Sequence, residues 1–183
     1  MRGRTLIILG VILVLIDQVV KILVKTNMSL GDQIDVFGLS WFKLCYVENM
    51  GMAYGLKFGG LVGKLLLSLF RIVLVGLLIR WIWKLLGKNV SGERIVPAGV
   101  FVGLTLITAG ALGNIIDSLY NGPFLFGRVV DMFQFPLFTW PDWVPLLGGR
   151  LFFEPVFNFA DSCVTVGALY LIIFHFKFFS KDK

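Results

Sequence analysis

Apolar residues fall into four long runs along the chain, over 6–24, 61–86, 96–116 and 158–179, separated by aromatic, polar or glycine-rich stretches. A hydrocarbon core ~30 Å thick calls for roughly 20 helical residues, so each run predicts a transmembrane helix. The intervals 26–60 and 117–157 then predict two loops on one side of the membrane. In the first loop Trp41, Lys43 and Cys45 alternate with Phe42, Leu44 and Tyr46, the period-2 pattern of a short strand. That strand belongs to a small sheet at the membrane surface, because an open edge inside lipid leaves backbone groups unpaired. The glycine-rich "NMGMAYGLKFGG" after it predicts a short surface helix or a flap. The second loop, "FQFPLFTWPDWVPLLGGRLFFEP", carries the tryptophans and phenylalanines that suit a headgroup zone and predicts an apolar wall along the membrane.

Composition narrows the class. Of 183 residues, 57% are hydrophobic and 15% charged, with a mean hydropathy of +0.87, far from an ordinary soluble domain. The expected fold is an all-α polytopic membrane protein, a single integral domain over 1–183 with four transmembrane helices, a small extracytoplasmic β-sheet cradle and a short surface helix. The first run follows Met1-Arg2-Gly3-Arg4 at full span length with no small-residue cleavage site after it, so it reads as a retained signal anchor. Arg2 and Arg4, then Lys84, Lys88 and Arg94, then Lys177, Lys181 and Lys183 cluster on one side, which puts both termini in the cytoplasm. Topology and anionic lipid account for the net charge of +6, and no nucleic-acid partner is expected. Cys45 and Cys163 lack metal-site or disulfide-framework spacing and are expected to pack.

Ionisable residues inside the runs carry the candidate chemistry, since each costs on the order of 2.5–3.5 kcal/mol at a span centre. Asp17 and Lys21 lie four apart on one helix face with Gln18 beside them, and read either as a substrate or ion contact or as a clamp to another helix. Arg71 sits at similar depth in the second run, and pairing with Asp17 is expected. In the third run Gly99 and Gly103 make a small-xxx-small face, and "GALGNIID" brings Asn114 and Asp117 to one face at its end. Asp131 follows in "GRVVDMF", and Asp161 in "FNFADS", one turn after Asn158. Alone, Asp161 reads as a first-turn acid favoured by the helix dipole. Together, two carboxylates at one membrane face can share a proton and activate a water. The one histidine, His175, falls at the opposite end, which excludes a two-histidine zinc site and a histidine-assisted nucleophile. An enzyme here would use carboxylates and no metal. The same residues also allow a small-ion or proton transporter, or a non-catalytic assembly subunit.

Four blocks in order, "DQVVK", "ENMGMAYG", "AGALGNIIDSLYNGPFLFGRVVDMF" and "FNFADS", resemble the lipoprotein signal peptidases, the signal peptidase II family of bacterial inner-membrane aspartyl proteases. The resemblance implies removal of the signal peptide from diacylglyceryl-modified prolipoproteins, cutting before the lipidated cysteine, with no cofactor and with inhibition by globomycin. It implies a catalytic pair at Asp131 and Asp161, supported by Asp17, Lys21, Asn49, Gly110, Asn114, Asp117 and Asn158. The expected partners are the lipid-modified precursor and membrane lipids, with the chain acting as a monomer. Ser118 stands where the family usually has arginine, and Arg128 is the candidate substitute. Gly110 and Gly113 are expected to let the substrate backbone come close.

Overall fold

Each apolar run forms a helix: α1 Gly3–Asn27, α2 Gly60–Val90, α3 Ala98–Tyr120 and α4 Phe159–Ser180. The structure is a computed structural model that describes residues 2–50, 60–93 and 95–180. All four helices are long and apolar enough to cross a membrane. At 31 residues, α2 outruns its apolar segment, and its last turns, with Lys84 and Lys88, carry the polar character of an interface.

The helices are not equivalent. In α3, 67% of the most apolar window is buried, against 17% in each of the others, so α3 is the central helix and the other three keep a lipid-facing side. Small residues explain its place. A methyl group at Gly103 would collide with Leu171, and one at Gly99 with His175 and Tyr170, so α4 lies close against α3 along its length. In lipid this contact is stabilised by packing, because the hydrocarbon outside is as apolar as the helix surface. A cluster around Leu6, Ile82, Leu86, Phe101 and Leu171 joins all four helices at one end of the bundle.

The other end carries a three-stranded antiparallel sheet of β1 Gln33–Asp35, β2 Lys43–Asn49 and β3 Val129–Gln134, in the order β1-β2-β3. The strand expected at 41–46 therefore begins and ends later, and its alternation breaks. The register shifts between Leu44 and Val47, and the consecutive residues Cys45 and Tyr46 are both buried. β3 has no alternation because it is buried on both faces, with Val130 and Met132 packed against Val24 and Tyr46. Beyond Asp131 the chain returns through the aromatic loop, and Phe157 pairs with Phe133, its amide donating to the Phe133 carbonyl at 2.9 Å. That pairing pins the start of α4 beside β3. Phe42, Phe135 and Phe157 stack along it, and further out Phe138 stacks on Phe152 with Trp140 edge-on to both, giving the second loop its apolar wall. The expected surface helix or flap falls on 51–59, outside the described residues.

Candidate active site

The first turn of α4 organises the site. Asn158 precedes the helix, and its side-chain carbonyl accepts the Asp161 N–H at 2.9 Å, satisfying an amide that has no intrahelical partner. The Asp161 carboxylate reaches back to the Asn158 N–H at 3.4 Å, a reciprocal cap. With its carbonyl engaged, the fully buried Asn158 side chain turns its amide nitrogen to Asp131 Oδ1 at 2.7 Å and to Asn114 Oδ1 at 3.2 Å. One amide thus joins the two acids.

Each acid has a second support. Asn49, at the end of β2, donates to Asp131 Oδ2 at 3.0 Å, and Asn114, on α3, donates to Asp161 Oδ1 at 2.8 Å. Asn114 is oriented in turn by Lys21, whose ammonium donates to Asn114 Oδ1 at 3.2 Å. A lysine can only donate, so the amide nitrogen of Asn114 must face Asp161. Lys21 spends its other two protons on Asp17 at 2.9 Å and Asp117 at 2.8 Å, all three groups being buried. Asp17 accepts the Ala160 N–H at 2.9 Å, tying α1 to the first turn of α4. Asp117 accepts the Val130 N–H at 3.2 Å, tying α3 to the residue before Asp131. The ion triad therefore sets the backbone positions next to both acids.

Asp131 is 2% exposed. Burial, and then the charge of Asp161, push its carboxyl up to about 7, against the pull of the Asn49 and Asn158 donors and of Lys21. Both acids line a cavity of about 670 Å³ that also touches Asn49, Arg71, Phe153 and Val166. Such a space admits a water and an extended backbone between the acids and the aromatic loop.

Of the residues singled out from sequence, Asp17, Lys21, Asn49, Asn114, Asp117 and Asn158 join the two acids in one hydrogen-bonded network. Others fall elsewhere. Gly110 and Gly113 do not open the site to substrate: a methyl at Gly110 would meet the Ala160 carbonyl, and one at Gly113 the Asp17 carboxylate. These glycines admit α4 and Asp17 instead. Asp17 takes Lys21, and Arg71 lines the cavity beside Asp131 and Asp161 instead of serving as its partner. Arg128 is half exposed and lies 3.8 Å from Glu48, while the cation that reaches Ser118 is Lys64, donating to its hydroxyl at 3.2 Å. Lys64 is fully buried, and Ser68, one turn on, donates to the Leu125 carbonyl at 2.8 Å. Lys64, Ser68 and Arg71 recur at helical spacing on α2, a polar stripe that was the available signal in a run otherwise read as uniformly apolar. His175 lies beside Tyr170 at the far end of the bundle, and Cys45 and Cys163 are buried free thiols.

Four helices long enough to span a membrane, holding one buried and one partly buried carboxylate over a single cavity, give the arrangement of a membrane enzyme suited to acid-base chemistry. Residues 9–177 match the family described as Signal peptidase (SPase) II. The chain belongs to the signal peptidase II family, and is a peptidase. It is 41% identical over 197 aligned positions to a lipoprotein signal peptidase of Porphyromonas gingivalis, covering 94% of this chain and 83% of that protein. A lipoprotein signal peptidase of Amoebophilus asiaticus is 36% identical over 182 positions, covering 90% and 75%. A solved structure described as a bacterial membrane enzyme superposes with a TM-score of 0.68 at 27% identity, over 99% of this chain and 96% of that one. Membership in a peptidase family sets aside the transporter and assembly-subunit readings.

Proposed function

We propose that this chain, acting as a monomer and a single integral domain, removes the signal peptide from diacylglyceryl-modified prolipoproteins in the bacterial inner membrane by cutting before the lipidated cysteine. The observation that carries the reading is the Asn158 side chain, which engages both Asp131 and the first turn around Asp161, the two acids that line one cavity. In the proposed reaction the two acids share one proton, held near neutrality by Asp131, which hydrogen-bonds the scissile carbonyl oxygen. Asp161 takes a proton from a water lodged between them as the water oxygen bonds to the carbonyl carbon. The developing oxyanion is stabilised by the Asp131 proton, the C–N bond breaks, and the proton taken from water passes to the leaving amine. Arg2, Arg4, Lys84 and Lys88 lie toward the bundle end opposite the sheet, which supports cytoplasmic termini and an active site at the outer face.

The test is cleavage of a synthetic diacylglyceryl-modified precursor by purified protein, with release of the signal peptide that globomycin blocks. Intact precursor after prolonged incubation would reject the reading. A pH series adds a sharper check. Because the reaction needs the Asp131 proton, kcat/KM is expected to fall as pH rises through about 7, approaching about tenfold per pH unit. A profile flat to roughly pH 9 would remove Asp131 from the proton-carrying role.

A further inference from the structure

The cavity that holds the acids lies between α2 and α4. At the far end these helices meet through Trp81 and Phe179, ring centroids 5.7 Å apart, whereas toward the sheet Leu67 and Arg71 of α2 face Ser162, Thr165 and Val166 of α4 across the cavity. Arg71 stands eleven residues into α2 from Gly60, about 16 Å along the axis at 1.5 Å per residue. Helical side chains lean toward the helix N-terminus, which for α2 is the sheet end, so the guanidinium is carried up toward the acids. Asp131 and Asp161 stand on the wall of the same cavity that Arg71 lines. Thr165 adds a hydroxyl on the opposite wall, one turn below Asp161, beside Ser162, whose own hydroxyl donates to the Asn158 carbonyl, and Val166 and Leu67 make the lining there otherwise apolar.

Donors on one side and two acids on the other narrow what this part of the cavity accepts. An anionic group would be repelled by the acids and a cationic one by Arg71. A neutral acceptor fits both. On the peptidase reading, on which this step rests, the substrate presents an apolar membrane segment that ends at the scissile bond. The last carbonyls of a helical segment have no intrahelical donor and carry partial negative charge. At membrane depth no water satisfies them. We propose that Arg71 is a substrate-binding residue that receives the backbone carbonyls of the last residues before the scissile bond, seating the end of the signal segment between α2 and α4. Arg71 thereby sets how far the segment advances, and so which peptide bond meets the acids.

Two measurements on full-length protein in detergent or lipid test this. In kinetics on the lipidated precursor, Arg71→Gln is expected to raise KM about tenfold or more with kcat within about threefold, the pattern of a lost binding contact, and Arg71→Lys is expected to recover most of the loss. An unchanged KM, or a fall confined to kcat, would overturn the proposal. In the second, Asp131→Asn protein with Arg71 intact is incubated with precursor carrying a photo-crosslinking residue two or three positions before the scissile bond. Adducts on the α2 peptide containing Arg71 are expected, and adducts found only on other elements would overturn the assignment even if the Arg71 variants fail to fold. Wild-type protein on the same precursor is the control: no cleavage there would count against the peptidase reading itself, whereas cleavage with unchanged Arg71→Gln kinetics counts against Arg71 alone.

Discussion

Asparagine in place of Asp131 or of Asp161 is expected to abolish cleavage of the lipidated precursor, by at least about a thousandfold in kcat, while the variant still inserts in the membrane. Both acids are needed because their tasks are opposite: one must accept a proton from water while the other presents one to the carbonyl oxygen. An amide can do neither transfer. The same Asp131→Asn protein has a second signature, in stability. The folded-state value of about 7 lies above the unfolded value, so the parent protein loses stability as pH rises from about 4 to about 7, and the loss is complete above that range. The variant has no such group to titrate. Its stability relative to the parent is therefore expected to improve by about 2–3 kcal/mol between pH 5 and pH 8, read from thermal unfolding at the two values. Robust turnover by either asparagine variant would end the paired-acid mechanism, and parallel stability profiles would remove the raised Asp131 proton.

Lys21→Met is expected to produce the largest loss of stability in the chain, about 3–5 kcal/mol, because it strands two buried carboxylates, Asp17 and Asp117, that now share one ammonium. The damage extends beyond those ion pairs. Without Lys21 only the Asn158 amide still holds the Asn114 carbonyl away from Asp161, and repulsion between Asp17 and Asp117 pulls on the Ala160 and Val130 amides that they accept. Adding Asp17→Asn to Lys21→Met removes one stranded charge and is expected to restore part of the unfolding midpoint, a non-additive pair. An unfolding midpoint for Lys21→Met equal to that of the parent would show that the triad does not hold the site together.

The helices were legible because the bilayer demands a length that apolar runs announce. The motif residues of α1, α3 and α4 were legible because each is an ionisable or amide group in a place that disfavours it. What escaped was rotation and partnership. Counting residues put Arg71 level with Asp17, but depth along a helix does not say which way a side chain turns, and α2 directs Arg71 into the gap toward α4. The glycine spacing of α3 announced a close approach without identifying the visitor, which is the neighbouring helix. β3 hid because a strand buried on both faces shows no alternation, so "VVDMF" read as an apolar stretch interrupted by an acid. Lys64 reaches Ser118 across 54 positions of sequence, a pairing no local pattern encodes.

The cap at Asn158 also bears on the order in which the protein becomes active. Asp131 leaves the ribosome after its triad and sheet partners and before the last helix, yet Asp161, Asn158 and the amide that Asp17 accepts all belong to one turn at the start of that helix. Until that turn winds, the nascent chain has one acid and no bridge. Winding it creates the helix terminus, the second acid and the link between them in a single event.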